Sequence, residues 1–473
     1  MIELIREPIM EDLRMVPDLL WIARGVAKSV PNKVKLDPAE LQQLIQGSGN
    51  LDDESGEEEG EPMEEDTPAQ EKSAETDSDA KYRKHDIDDD KVEEAYLKDF
   101  DAEGEENAMR GVAMYASNKD DPYITQQVDS DEEEEKDDIL IKPNDNLVAV
   151  AKVVKDEYNL DIYVYNQTND DWYCHHHYIL EAPPLCLETI QHDPGNDETG
   201  KGNLIALGTM DTKISIWDLD VMNACMPIVT LGEKSASKEG KSRKKRDGSQ
   251  QGHSDAVISL SWNRNTPHVL ASGGADQQIV LWDLDEAKAA QILPPRGAEV
   301  QTIQWHAKED TVLLAGMMNG TVQIIDCRDN ESPPVAEWKF GGQIEKVIWN
   351  HFDLQQAIVT TDEGLLSIID TRKSNQVLSE ARAHEGGVSG VSLSSITKGL
   401  LATAGEDQML CIWKIEDSGA LTKIYSTKLN LGELHSLKFN PDIGSILAVG
   451  GSAGELVRII DLNKFEAVGS AFT

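Results

Sequence analysis

The apolar positions of this chain fall in short, β-branched runs separated by small-residue turns, and long helical stripes are missing. ISIWDL ends at Leu219, IVLWDL at Leu284, VQIIDC at Cys327, LSIIDT at Thr371, LCIWKI at Ile415 and VRIIDL at Leu462. An earlier string, DIYVYN, ends at Asn166. An apolar run and a Gly/Asp turn precede each one, as in VLASGGADQQ, LLATAGEDQM, LLAGMMNGTV, AIVTTDEGLL and ILAVGGSAGE. Such runs bounded by such turns read as strand, tight turn, strand.

The strings recur with a period. Their equivalent positions are Asn166, Asp218, Asp283, Asp326, Asp370, Lys414 and Asp461, at spacings of 52, 65, 43, 44, 44 and 47. A repeat of about 44 residues is the length of a four-stranded propeller blade. Tryptophan gives an independent register. Trp262, Trp305 and Trp349 stand 43 and 44 residues apart, each one strand upstream of the turn, and Leu393 and Phe439 continue the series. A large apolar residue once per repeat is expected where the inner strands of neighbouring blades pack, since no blade can bury its faces alone.

One repeat carries Gly252-His253, Ser272, Asp276 and Trp282-Asp283; another carries His384, Thr403, Asp407 and Trp413. On these residues the chain resembles the WD-repeat β-propellers. The resemblance implies a buried hydrogen-bonded tetrad of His, Ser or Thr, Asp and Trp in each of the two blades. A buried His and Asp need mutual partners, and an indole N–H needs an acceptor. These residues are read as structural, and His253 with Asp276 is not read as a catalytic dyad. In three other blades Ile325, Ile369 and Ile460 replace the tryptophan.

The expected fold is therefore all-β, a seven-bladed WD-repeat β-propeller. Six first strands are found, near Ile190, Leu260, Ile303, Val347, Val391 and Leu437; blade 1 lacks one just before Asn146. The best candidate is VPDLLWIAR, Val16 to Arg24, whose Trp21 matches the tryptophan of SLSWN. Blade 1 would then be split by a long insertion. The expected division is an extension over 1–15, the first strand of blade 1 within 16–29, the insertion over 30–138, and the rest of the propeller over 139–473.

Charge sets the insertion apart. The chain of 473 residues has a formal charge of −43, with 87 acidic and 44 basic side chains. Residues 47–138 alone hold 35 Asp and Glu against 9 Lys and Arg, and only 23 of these 92 residues are apolar. A segment so poor in apolar surface cannot offset its ordering entropy, so disorder is expected over most of it. An island at 109–125, with Tyr115 and Tyr123, reads as able to dock on a folded surface. The acidic balance argues against a nucleic-acid binder at the level of the whole chain. No run approaches 18 apolar residues, which argues against a membrane span. Five scattered cysteines without a CxxC pair fit reduced thiols.

A closer resemblance rests on WIARGVAK (from Trp21), YASNKDDPYIT, ILIKPNDNLVAV, VYNQ and GQIEKVIWNHF, together with the acidic run. These are similar to segments of the periodic tryptophan protein 1 family, over essentially the whole chain from about Met15. That resemblance implies a nuclear and nucleolar protein acting in ribosome biogenesis and ribosomal RNA synthesis and associated with chromatin. Members of that family often carry a longer basic tail than this chain, which stops at Phe472-Thr473.

Candidate sites follow from the non-repeat segments. The loop 232–252 has 7 basic and 3 acidic residues. Its cluster Lys241, Arg243, Lys244, Lys245 and Arg246 reads as a nuclear import signal, or else as a solvated loop. The acidic segment suits histones or basic ribosomal proteins, held by a salt-sensitive field. Ser130, followed by Asp131-Glu132-Glu133-Glu134, and Ser78, followed by Asp79, resemble acid-directed phosphorylation sites. Two motifs are set aside. GNDETGKG (195–202) ends in Gly where a P-loop needs Ser or Thr, and a strand follows instead of a helix. Cys174-His175-His176-His177 lies in an extended run, where successive side chains alternate faces, so no metal site is expected.

The leading functional reading is a non-enzymatic scaffold with no cofactor, no small-molecule substrate and no membrane. Its partners would be proteins of pre-ribosomal or chromatin assemblies, with RNA or DNA association indirect. Two alternatives stand beside it. One is a chromatin-associated, histone-binding factor that regulates transcription. The other is a substrate receptor of a cullin ubiquitin ligase, in which Arg328 and Arg372, in DCR and DTR, would contact the adaptor.

Overall fold

A computed structural model describes residues 13–33, 139–194, 202–232, 252–328 and 333–472. Seven antiparallel sheets follow one another, as the repeat predicts. The chain is a seven-bladed β-propeller. Blade 3 shows the pattern: Val257–Trp262, Val269–Gly274, Ile279–Asp283 and Lys288–Leu293 pair in sequence order, from the inner strand outward. Every inner strand of blades 2 to 5 and 7 carries a register shift near its start, as between Val257 and Ser259. Such bulges bend a strand and increase its twist.

Blade 1 is assembled from both sides of the insertion. Leu19–Ile22 pairs antiparallel with Asn146–Val154, Trp21 opposite Val148. Arg14–Met15, within the expected extension, continues this pairing against Val154 and Val153. The outgoing chain stays built into the propeller as far as Lys33. Asn32–Lys33 forms a short parallel ladder with Val221–Met222 of blade 2, and Lys28 N–H donates to Asp220 Oδ1 at 2.9 Å. On the returning side Ile141 is buried, and its N–H donates to the Ser29 carbonyl at 2.9 Å. Both stems are thus fastened beside blades 1 and 2. The segment 34–138, with its island, lies outside the described residues.

The core is a ring of seven large clusters, one at each seam, with a smaller one of Leu185, Ala256, Ile258 and Ala275 added between blades 2 and 3. Leu187, Ile205 and Trp217 of blade 2 pack against Leu147, Leu160 and Tyr178 of blade 1. Val16, Leu19, Trp21 and Val148 of blade 1 pack against Ile446, Ala448 and Val457 of blade 7. This last seam closes the ring, so it joins residues more than 400 apart in sequence. Blade 7 has three described strands, Leu434–Phe439, Ile446–Gly451 and Val457–Asp461. The chain then turns into the helix Glu466–Ala471. Phe465 stacks on Tyr425 of blade 6 with centroids 4.7 Å apart, and Lys414 Nζ donates to the Ala471 carbonyl at 2.8 Å.

A glycine is required at the closing seam. A Cβ on Gly450 would sit 2.6 Å from Val16 Cγ1 and 3.2 Å from Leu19 Cδ2. Both neighbours are fully buried and branched, so neither can give way cheaply. Gly450→Ala is expected to lower stability by about 1–3 kcal/mol, the usual cost of overpacking. The denaturant midpoint measures it; an unchanged midpoint would mean that the seam is looser than described.

Candidate interaction surfaces and buried tetrads

Inner strands hold the ring together through a repeated hydrogen-bond scheme. In four of the seven blades one position at the inner strand offers a side-chain acceptor to the next blade's backbone. Asp18 Oδ2 accepts from Leu187 N–H at 3.0 Å, and Ser259 Oγ from Ile303 N–H at 3.0 Å. Thr302 Oγ1 accepts from Val347 N–H at 3.4 Å, and Ser436 Oγ from Leu19 N–H at 3.0 Å. Ser436 in turn donates to Asp18 Oδ1 at 3.0 Å, so Asp18 links blades 7, 1 and 2.

The periodic tryptophans add a second tie. Trp305 Nε1 donates to the Ser261 carbonyl at 3.1 Å, Trp349 Nε1 to Gln304 at 3.2 Å, and Trp21 Nε1 to Lys438 at 3.0 Å. Each bond reaches back to the preceding blade. Trp262 departs from the scheme and donates to Pro267 in its own turn at 2.8 Å. The tryptophan spacing therefore has a structural cause: an indole of this length bridges two inner strands while satisfying its own donor.

The two sets of His, Ser/Thr, Asp and Trp come together in blades 3 and 6. His253 Nδ1 lies 3.0 Å from both Asp276 oxygens, and His253 Nε2 lies 2.7 Å from Ser272 Oγ. Trp282 Nε1 donates to the same hydroxyl at 2.7 Å. In blade 6, His384 Nδ1 is 2.9 Å from Asp407, His384 Nε2 is 2.8 Å from Thr403 Oγ1, and Trp413 Nε1 donates to that hydroxyl at 3.0 Å. Burial alone would raise the Asp276 and Asp407 carboxyls. The histidines and neighbouring backbone N–H groups outweigh it and hold both below the usual range. Burial also lowers His384. Ser272 and Thr403 are fully buried, so neither hydroxyl is placed to meet a substrate. Each tetrad ties the loop before the inner strand to the second and third strands of its blade.

The long loop of blade 2 starts and ends at one point. A Cβ on Gly252 would lie 2.9 Å from the Trp282 ring and 3.1 Å from Gly232 Cα. Loop 233–251 and its basic cluster Lys241, Arg243, Lys244, Lys245 and Arg246 lie outside the described residues. Ser78, Ser130 and most of GNDETGKG do as well. The flanks are informative all the same. The basic loop connects an outer strand to the next inner strand, whereas the acidic insertion connects an inner strand to a second strand. In an antiparallel blade these connections lie at opposite ends, so the described strand ends that flank the two segments lie at opposite ends of their blades.

Arg328 and Arg372 occupy equivalent turns after the third strands of blades 4 and 5. Arg328 Nε donates to Asp326 Oδ1 at 3.0 Å, and Arg372 Nε to Asp370 Oδ1 at 2.8 Å. Each guanidinium is largely exposed but engaged by its own turn carboxylate. The Arg372 hydrogen bond holds the Asp370 carboxyl down to about 2.

The inner strands enclose a central channel of about 460 Å³. Its lining carries Asp18, Glu188, Lys346, Lys438, Arg264 and His435, charges that the repeat pattern did not single out. Removal from water raises the Glu188 carboxyl to about 7, although Arg264 and Lys438 pull it down. Burial lowers His435 to about 4. A carboxyl raised in the folded state favours folding at low pH, and that contribution is lost as pH rises through about 7. Glu188→Gln is therefore expected to leave the melting temperature nearly unchanged at pH 4, below the unfolded carboxyl's range, and to raise it at pH 8, by roughly 2–4 °C per kcal/mol relieved. An equal effect at both pH values would show that Glu188 titrates normally.

The alternation expected for Cys174 to His177 fails at one point. Asp171–Ile179 forms the outer strand of blade 1, and its pairing slips between Ile162 and Tyr163, leaving His175 as an extra residue. This bulge turns His175 toward His176, and their Nδ1 atoms are 2.7 Å apart. Among the described residues no group of three or more His, Cys, Asp or Glu is placed to hold a metal ion.

The WD domain, G-beta repeat model matches residues 244–283 and 375–414, the stretches that contain the two tetrads. The chain is 33% identical over 462 residues to the periodic tryptophan protein 1 homolog of Drosophila melanogaster, covering 97% of this chain and 96% of that one. The chain belongs to the periodic tryptophan protein 1 family. Periodic tryptophan protein 1 of Saccharomyces cerevisiae is 28% identical over 526 residues, covering 97% of this chain and 90% of its own. An uncharacterised WD repeat-containing protein of Schizosaccharomyces pombe is 28% identical over 474 residues, with 97% and 91% covered. The likeness to periodic tryptophan protein 1 thus spans the inserted segment as well as the blades.

Proposed function

We propose that this member of the family is a non-enzymatic scaffold of the nucleus and nucleolus, acting in ribosome biogenesis and ribosomal RNA synthesis. One observation supports the scaffold reading above the others. The polar clusters that could suggest chemistry, the two tetrads, are consumed in tying loop and strands within their own blades. What remains for function is the propeller ring together with the acidic segment and the basic loop. The acidic segment would hold basic proteins, ribosomal proteins or histones, and the ring would present them to an assembly. Phosphate on Ser130 or Ser78 would strengthen that hold, and the cluster Lys241–Arg246 would direct import.

The test is an affinity pull-down from nuclear extract, with and without nuclease, comparing the full chain with one lacking residues 47–138. Pre-ribosomal proteins retained by both forms support the scaffold reading. Histones recovered only with the full chain, and lost at high salt, would favour the chromatin-associated reading instead. The ligase-receptor reading is favoured only by the equivalent placement of Arg328 and Arg372. It requires that an adaptor be recovered and then lost in the Arg328→Ala, Arg372→Ala double variant.

A further inference from the structure

We propose that the central channel is a binding site for a small anion carrying two or more phosphate groups. The first observation is where the hydrogen bonds of the channel wall leave their hydrogens. Two positions in the inner strands, two residues apart, border the channel. At the first, Ser259 Oγ accepts from Ile303 N–H and Thr302 Oγ1 from Val347 N–H. At the second, Ser261 Oγ accepts from Trp305 N–H at 3.1 Å, Gln304 Oε1 from Trp349 N–H at 2.5 Å, and Ser392 Oγ from Phe439 N–H at 3.0 Å. All five side chains line the channel.

Each of these bonds uses an acceptor and leaves a donor. A backbone N–H can only donate, so it meets the oxygen of its partner. A hydroxyl then keeps its one hydrogen, and the Gln304 amide keeps two. Among the described residues no acceptor takes the hydroxyl hydrogens of Ser259, Ser261, Thr302 or Ser392, or those of the Gln304 amide. The four hydroxyl side chains are buried. A buried donor without a partner is costly, so these hydrogens are left for whatever fills the channel.

The charges point the same way. Lys346 stands at the first position and Lys438 at the second, both half-buried, and Arg264 lies just past the inner strand of blade 3. Among the described residues no carboxylate forms an ion pair with any of the three. The two carboxyls of the channel do not offset them. Asp18 is spent on protein donors: Leu19 N–H at 2.9 Å, Leu187 N–H at 3.0 Å and the Ser436 hydroxyl at 3.0 Å. Glu188 accepts from Trp262 N–H at 3.4 Å, and burial favours its neutral form.

A wall of neutral donors with three cations suits an anion rich in acceptor oxygens. Phosphate oxygens accept from hydroxyl, amide and ammonium groups alike, and from a guanidinium in pairs. Lys346 and Lys438 lie on different blades and at different levels of the channel, so linked phosphates reach both where a single phosphate reaches one. The channel volume of about 460 Å³ falls within the range of small-molecule sites, about 300–1,000 Å³.

Titration calorimetry of the full chain with tripolyphosphate, at near-physiological salt, tests this, with orthophosphate as the comparison. Tripolyphosphate should bind with one-to-one stoichiometry and at least about tenfold more tightly than orthophosphate. Lys346→Gln and Lys438→Gln should each weaken it at least about tenfold, the loss of one charge-assisted hydrogen bond. Glu188→Gln should act in the opposite direction and tighten binding at pH 8 at least about twofold, since a like charge is removed. Changing Lys241, Arg243, Lys244, Lys245 and Arg246 together to Gln should alter none of this. Absence of tripolyphosphate binding, or equal affinity for the two anions, would overturn the proposal. So would binding that survives both lysine changes and is lost with the loop cluster, or that weakens in Glu188→Gln.

Discussion

Replacing Trp282 with alanine is expected to destabilise the protein by about 3–5 kcal/mol, the range for deleting a fully buried tryptophan. Its side chain is completely buried at the seam of blades 2 and 3, among Ile214, Leu231 and Leu270. It also supports the point where loop 233–251 closes, because Gly232 and Gly252 both approach its ring. Removing the indole leaves a cavity and takes a donor from Ser272, whose other partners are His253 and the Val280 carbonyl. Trp282→Phe should cost less, since most of the volume is kept and only the N–H is lost. The midpoint of urea unfolding, followed by intrinsic fluorescence and by far-ultraviolet dichroism, measures both variants. A loss below about 1 kcal/mol for Trp282→Ala, a surface-like value, would mean that the tetrad does not fasten this blade.

The second large effect is expected at ring closure. Trp21→Ala should also cost about 3–5 kcal/mol, and it should reduce the cooperativity of unfolding. Trp21 packs edge-on against Tyr165 at 5.6 Å and donates to Lys438 in the last blade. Nearby, Arg24 N–H donates to Asp442 Oδ2 at 2.9 Å and Asn146 Nδ2 donates to the same oxygen at 2.6 Å. No short chain connection ties these two blades, so non-covalent contacts alone carry this seam, among them the Val16 N–H to Gly451 carbonyl bond at 3.2 Å. At the other seams a covalent link backs the packing. The control is Trp262→Ala, which removes an indole bonded within its own turn. Trp262→Ala should lower the midpoint but keep a single transition, whereas Trp21→Ala should broaden it as blade 7 loosens first. Identical transition widths would contradict the role given to Trp21.

The fold was legible in the sequence because a propeller repeats its physics. The strings ending at Leu219, Leu284, Cys327, Thr371, Ile415 and Leu462 mark third strands, and each recurs where the next blade needs it. Blade 1 could be reconstructed across more than 100 residues because Trp21 obeys the same inner-strand register as Trp305 and Trp349. The bulge at His175 was not legible. Strand alternation is a local rule, while the slip depends on which residues of Glu157–Asn166 lie opposite. The ring of acceptors at Asp18, Ser259, Thr302 and Ser436 was hidden for another reason. Asp, Ser and Thr are interchangeable there as acceptors, so no single letter recurs. The parallel ladder holding Asn32–Lys33 has only two residues a side and carries no pattern of its own. Loop 233–251, Ser78 and Ser130 lie outside the described residues, so their reading rests on charge and spacing alone.

The measurement closest to the central proposal is pulse-labelling of ribosomal RNA in cells depleted of this protein and then resupplied with it. A scaffold in ribosome production predicts that labelled ribosomal precursors or mature ribosomal RNA fall on depletion, with other transcripts little changed. Resupply of the full chain should restore them, and resupply of a chain carrying Trp21→Ala should not. Unchanged ribosomal RNA labelling in depleted cells would contradict the account.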